Sequence, residues 1–167
     1  MIHEFSIDPW ICMAPLGLVE FMKANSDAEN ATDHFDVTTQ SGYQPMVDNP
    51  IEWPQLAQLK YTLIPIINET LDCEWKFHRS WFVSYNKGGS QNMHSHKGSD
   101  YSIVVNLMSS KFDGLLEFEN GKVFDLPQGG GVIFDSNLRH RGCTVFYPKT
   151  VVAIDIKKKI IKKNAKK

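Results

Sequence analysis

The spacing of apolar residues changes near the middle of the chain. From Pro54 to Leu71, Leu56, Leu59, Leu63 and Ile67 recur every three or four residues, the period of one helix face. Pro54 suits a first helical turn, and Pro65 is expected to kink or end the helix. A shorter helix is expected over Leu16 to Lys23, and Ile2 to Cys12 alternates loosely enough for a strand. From Cys73 onward the period falls to two. Trp75 to Tyr85, Tyr101 to Met108, Gly114 to Phe118, Lys122 to Phe124, Gly131 to Phe134 and Thr150 to Ile156 read as strands. Asn120-Gly121 between two of them is a strong hairpin signal.

Short strands separated by turn residues predict a mainly β protein with a few N-terminal helices, arranged as a sandwich or a jelly roll. The expectation is one domain over residues 1–167. Residues 1–72 form helical and irregular support, 73–156 the barrel core, and 157–167 a basic tail. Within the support, 24–50 is polar and long for a connection, which makes it a candidate lid. Phe35 and Tyr43 argue that it docks on the barrel.

Bulk composition narrows the function classes. The chain has 167 residues, 42% of them hydrophobic, and a net charge of −1. That balance gives no footing for nucleic acid, and the lysine-rich end from Lys157 reads as a solvated terminus. No apolar run approaches membrane-spanning length, and Glu4, Asp8 and Pro9 disqualify the start as a signal peptide. Cys12, Cys73 and Cys143 are odd in number and far apart, which points to a reducing, cytoplasmic setting.

The chemistry concentrates in two segments. Tyr85 leads through Gly88-Gly89 to His94 and His96. Pro127 leads through Gly129 to His140, with Lys149 nine residues further on. Residues two apart in a strand share a face, so His94 and His96 are expected to point together into the barrel, with His140 returning to them. Imidazoles suit iron, zinc, copper or nickel, and three protein ligands leave positions open for small molecules. Asp100 competes with His96 as second ligand. A straight strand carries it about 20 Å from His94, so it reaches the site only if the chain bends at Lys97-Gly98. Ser102 and Asn106 share its strand parity and are candidates to line the pocket. His3, His34 and His78 have no partner pattern, and Cys143 reads as a small barrel residue.

These segments resemble the core of the 2-oxoglutarate and Fe(II)-dependent oxygenases. The likeness is to the prolyl-4-hydroxylase-like branch and to small oxygenases of phage and marine bacteria. Tyr85, Gly88-Gly89 and His94 match the order of tyrosine, glycine pair and first metal histidine. Gly114 to Phe118 resembles a glycine-led strand of that branch, and the run from Pro127 to Phe134 resembles the strand before the last metal histidine, His140. The resemblance covers roughly the C-terminal half. It implies a double-stranded β-helix, Fe(II) on His94, His96 and His140, and 2-oxoglutarate and O2 as cosubstrates. It also implies that Lys149, with Tyr85, holds the far carboxylate of 2-oxoglutarate, Arg139 and Arg141 being rival anchors. The reaction implied is hydroxylation of a small molecule or peptide, in a cytoplasmic enzyme of the kind that phages encode. His96 stands where that family usually has a carboxylate. A second resemblance is to cupins, through Gly88, His94, His96, Asp100 and Pro127-Gln-Gly129. It implies the same fold and a metal-dependent dioxygenase or isomerase that needs no 2-oxoglutarate. A metal-free β-barrel binding or virion-associated module is the non-enzyme alternative.

Overall fold

A computed structural model describes residues 1–25, the backbone of 39–43, and residues 48–160. Most of the candidate lid, including Phe35, lies outside the described residues, as does the tail beyond residue 160.

Nine strands and two helices are described. Strand β1 (Ile2–Ser6) comes first, then a 3₁₀ turn (Pro9–Cys12) and α1 (Met13–Ala24). Strand β2 (Thr39–Tyr43) and α2 (Ala57–Thr70) precede the long β3 (Trp75–Gln91). The remainder is β4 (Tyr101–Met108), β5 (Leu115–Phe118), β6 (Val123–Asp125), β7 (Gly130–Asp135), β8 (His140–Gly142) and β9 (Lys149–Lys158). A six-stranded sheet has the order β1-β7-β4-β9-β3-β2, a three-stranded sheet the order β6-β5-β8, and every pairing is antiparallel. The two sheets enclose a jelly roll, the double-stranded β-helix that the family resemblance implied.

Several boundaries differ from the expected ones. The first strand stops at Ser6, because Pro9 favours a turn that Asp8 caps by accepting from the Trp10 amide at 3.0 Å. Pro54–Leu56 is a 3₁₀ turn rather than α-helix. Helix α2 passes through Pro65, which sits on the exposed face opposite the buried Leu59, Leu63 and Ile67. There the carbonyl that loses its partner can turn to water. Strand β3 runs on from Tyr85 to Gln91 through Gly88, at φ +79°. Lys157 and Lys158 belong to β9 rather than to a tail.

The six-stranded sheet has two different faces. Phe82, Ile103, Val105, Ile133, Val152, Ile154 and Ile156 form one buried cluster with Val19, Leu59, Leu63 and Ile67 of the helices. Their neighbours of opposite parity, Val83, Tyr85, Val104, Val132, Phe134 and Val151, face the smaller sheet and pack with Leu116 and Phe118. The helices therefore brace one face, and the alternate positions are free to build a site. Among the described residues no helix is long and apolar enough to cross a membrane.

Candidate active site

The three histidines meet at the rim between the sheets. His94, His96 and His140 each offer a ring nitrogen, and these atoms lie within 4.8 Å of one another. Strand alternation is not what unites them. Strand β3 ends at Gln91, and His94 and His96 lie in the loop after it. The backbone instead is pinned at two points. His94 and His140 exchange amide-to-carbonyl bonds of 2.9 and 2.8 Å, and the His96 amide donates to the Ser136 carbonyl at 2.9 Å. The His94 and His96 rings stack with centroids 5.4 Å apart, and His140 closes on His94 at 4.5 Å.

One nitrogen of each ring is already engaged. His94 Nδ1 lies 2.7 Å from the Asn92 carbonyl, and His140 Nδ1 lies 3.2 Å from the Leu138 carbonyl. His96 Nδ1 lies 2.8 Å from Asp155 Oδ1 and 2.9 Å from Ser102 Oγ. Facing acceptors, each Nδ1 carries the proton, and each Nε2 lone pair is left for a metal. Burial pushes the pKa of His94 down, and that of His140 well below 6.5, with the neighbouring rings adding to the effect. The His94 and His140 rings are thus neutral near pH 7, the form a metal requires. Three convergent imidazoles fit a borderline metal such as Fe(II) and suit magnesium or calcium poorly.

Asp155 is the residue that sequence reasoning missed. It is fully buried, on the inner face of β9 with Lys149, Val151 and Ala153. Burial pushes its carboxyl pKa up, but hydrogen bonds from His96, Ser102 and Arg79 outweigh that and hold it below the usual range. A lone acid inside the apolar run Thr150 to Ile156 was the available signal, since a charge there needs buried partners.

Asp100 turns away from the histidines. The chain does bend at Gly98, with φ +84°, but the exposed Asp100 side chain accepts from the Lys158 amide at 2.8 Å. Ser102 faces inward as its parity suggested, yet it stands behind His96 rather than lining the pocket, bonded to Asp155 Oδ1 and Ser136 Oγ. Asn106 does line the pocket. Its amide nitrogen bonds Ser109 Oγ and the Leu126 carbonyl, and its buried Oδ1 has no hydrogen-bond partner among the described residues.

The same pocket contains Lys149 and Tyr85, which are paired across β9 and β3. Lys149 is only 3% exposed. Its ammonium reaches the Leu115 carbonyl at 3.4 Å and lies 5.3 Å from the centre of the Tyr85 ring. Among the described residues it pairs with no carboxylate, and burial lowers its pKa from 10.5 to about 8. Tyr85 donates to Gln91 Oε1 at 2.7 Å, and burial raises its phenol pKa. Gly142 makes room for that hydroxyl, because a Cβ there would come within 2.4 Å of it. Arg139 reaches the Met93 carbonyl, and Arg141 pairs with Glu117 at 2.6 Å; both are exposed and neither lines the pocket.

No protein-family model matches the chain, and no curated protein matches its sequence. Solved structures do match its fold. A Pseudomonas putida prolyl-4-hydroxylase aligns with TM-score 0.70 at 13% identity, over 95% of this chain and 93% of that one. The viral collagen prolyl hydroxylase of Paramecium Bursaria Chlorella virus-1, solved with 2-oxoglutarate, aligns with TM-score 0.66 at 13% identity, over 93% and 94%. A Trichoplax adhaerens prolyl hydroxylase, bound to a peptide of hypoxia inducible factor, aligns with TM-score 0.68 at 11% identity, over 94% and 83%. The fold of this chain is that of the 2-oxoglutarate/Fe(II) oxygenases, and its likeness in fold to these prolyl hydroxylases spans 93–95% of the chain.

Proposed function

We propose that this protein is an Fe(II)- and 2-oxoglutarate-dependent oxygenase that hydroxylates a small molecule or a peptide. The observation that carries the reading is one pocket holding both a convergent histidine cluster and a buried lysine that has no carboxylate partner among the described residues. His94, His96 and His140 would hold the iron through their inward-facing nitrogens. Lys149 would pair with the distal carboxylate of 2-oxoglutarate, a charge-assisted contact in a site shielded from water. Tyr85, beneath the ammonium, would order that end of the cosubstrate. Bound together, iron, 2-oxoglutarate and O2 supply oxidative decarboxylation to succinate and CO2, with one oxygen atom passing to a substrate C–H bond. The chain's own part is to orient these groups and keep water away.

The structural neighbours support the reading. One was solved with 2-oxoglutarate and another with a peptide, which makes a peptide a reasonable substrate class here. The free cysteines Cys12, Cys73 and Cys143 support a reducing, cytoplasmic setting. The all-imidazole cluster keeps a second reading in play, a metal-dependent dioxygenase that works without 2-oxoglutarate. Anaerobic titration with Fe(II) and then 2-oxoglutarate separates the two. A weak visible charge-transfer band that saturates at one equivalent of 2-oxoglutarate is the expected result. Oxygen consumption without that band, and without succinate, overturns the proposal in favour of the second reading.

A further inference from the structure

The three histidines are not equivalent. His94 and His140 turn their Nδ1 atoms to backbone carbonyls, which are neutral acceptors. His96 alone turns its Nδ1 to a carboxylate, Asp155 Oδ1, at 2.8 Å. That carboxylate is fully surrounded. Oδ1 also accepts from Ser102 Oγ at 2.6 Å, while Oδ2 accepts from Arg79 Nε at 2.6 Å and Ser99 Oγ at 2.9 Å. Ser136 Oγ, 2.7 Å from Ser102 Oγ, secures the serine in turn. The four donors to Asp155 come from β3, β4 and the loop between them, and their convergence on one carboxylate of β9 is a built feature.

Three neutral imidazoles supply no negative charge to a divalent cation. Asp155 is, among the described residues, the only acid hydrogen-bonded to any of the three rings. We infer that Asp155 is a positioning residue that acts as the carboxylate of the metal centre through His96. It holds the His96 ring with Nε2 toward the metal and makes that nitrogen the strongest donor of the three. The negative charge sits one residue behind the metal instead of on it. Such partners typically account for ten- to a hundred-fold in metal affinity. This inference rests on the metal reading above.

The test uses the full chain and Co(II), an iron surrogate with visible absorption and sharp paramagnetic proton signals. Wild type is expected to bind one Co(II), with three shifted ring N–H signals from the histidines. Asp155→Asn keeps the shape and removes the charge. It is expected to weaken Co(II) binding about ten- to a hundred-fold and to move the His96 N–H signal far more than those of His94 and His140. Unchanged affinity overturns the inference and leaves the metal reading standing, and so does an equal shift of all three signals. If wild type binds no Co(II), the metal reading falls first and takes this inference with it. Should Asp155→Asn fail to fold, Ser99→Ala carries the test, since it removes one donor to Oδ2, spares the charge and removes no bond to a histidine ring. It is then expected to move the His96 signal selectively, and failure to do so overturns the inference.

Discussion

Lys149 and Asp155 lie on the same face of the same strand, yet one is under-partnered and the other over-partnered. Lys149 has one long bond to a carbonyl and an aromatic ring beneath it. Asp155 has four donors at hydrogen-bond distance. Both charges are nearly or wholly buried, so the difference does not come from solvent. A buried charge with complete partners belongs to the architecture. A buried charge with incomplete partners implies a ligand that completes them, because desolvation is otherwise uncompensated. On the proposed function, Lys149 would serve the cosubstrate end of the pocket and Asp155 the scaffold of the metal end.

The largest expected effect breaks the metal end. His94→Ala or His140→Ala should abolish stoichiometric Co(II) or Fe(II) binding while the metal-free protein still unfolds cooperatively. Calorimetric titration beside thermal unfolding checks this, and full-affinity binding in either variant removes that histidine from the ligand set.

The next prediction sets the two charges against each other. The Lys149 pKa is about 8 in the folded protein against 10.5 as its ordinary value. Between these pH values the unfolded chain binds more protons, so stability should rise as pH climbs from about 8 to 10.5. Below pH 8 the full penalty stands, ~3 kcal/mol at ~1.36 kcal/mol per pH unit. Lys149→Met should therefore stabilise the metal-free protein near pH 7 and lose that advantage above pH 10.5. Asp155→Asn should do the reverse at neutral pH and cost about 1.5–3 kcal/mol, the worth of a charged hydrogen bond. Urea unfolding across pH reads both, and a stabilising Asp155→Asn would collapse the contrast.

A somewhat smaller effect concerns the cosubstrate. Lys149→Ala should raise the half-saturating 2-oxoglutarate concentration roughly ten- to a hundred-fold, from ~1.5–3 kcal/mol of lost charge-assisted contact, with Co(II) affinity unchanged. Arg139→Ala and Arg141→Ala should leave it unaltered, since both point away from the pocket. The smallest expected change is that of Asp100→Ala on metal affinity, within about two-fold, because its carboxylate serves the Lys158 amide. A large loss there would return Asp100 to the ligand set.

The legibility of these features followed how local their causes were. The α2 stripe and the hairpin at Asn120-Gly121 were readable because helix period and turn chemistry act over a few residues. The strand set was readable for the same reason, down to the parity that turns Ser102 and Asn106 to one face of their strand. His94, His96 and His140 stood out by residue type and order, but the strand argument for their convergence did not hold. Their approach depends on backbone bonds to His140 and Ser136, forty or more residues away. Lys149 was singled out only through family resemblance, and burial without a carboxylate partner is what now distinguishes it from Arg139 and Arg141.

By itself, then, the sequence determined the strand count to within a few short pieces, the helix stripe of α2, and the candidate histidines. Periodicity and residue chemistry are written position by position along the chain. Tertiary structure alone decided that Asp155 backs His96, that Asp100 does not face the metal end, and that Gly142 clears space for Tyr85. Each of these depends on which distant strand lies alongside, and pairing across a jelly roll joins residues whose separation in sequence carries no trace of their contact.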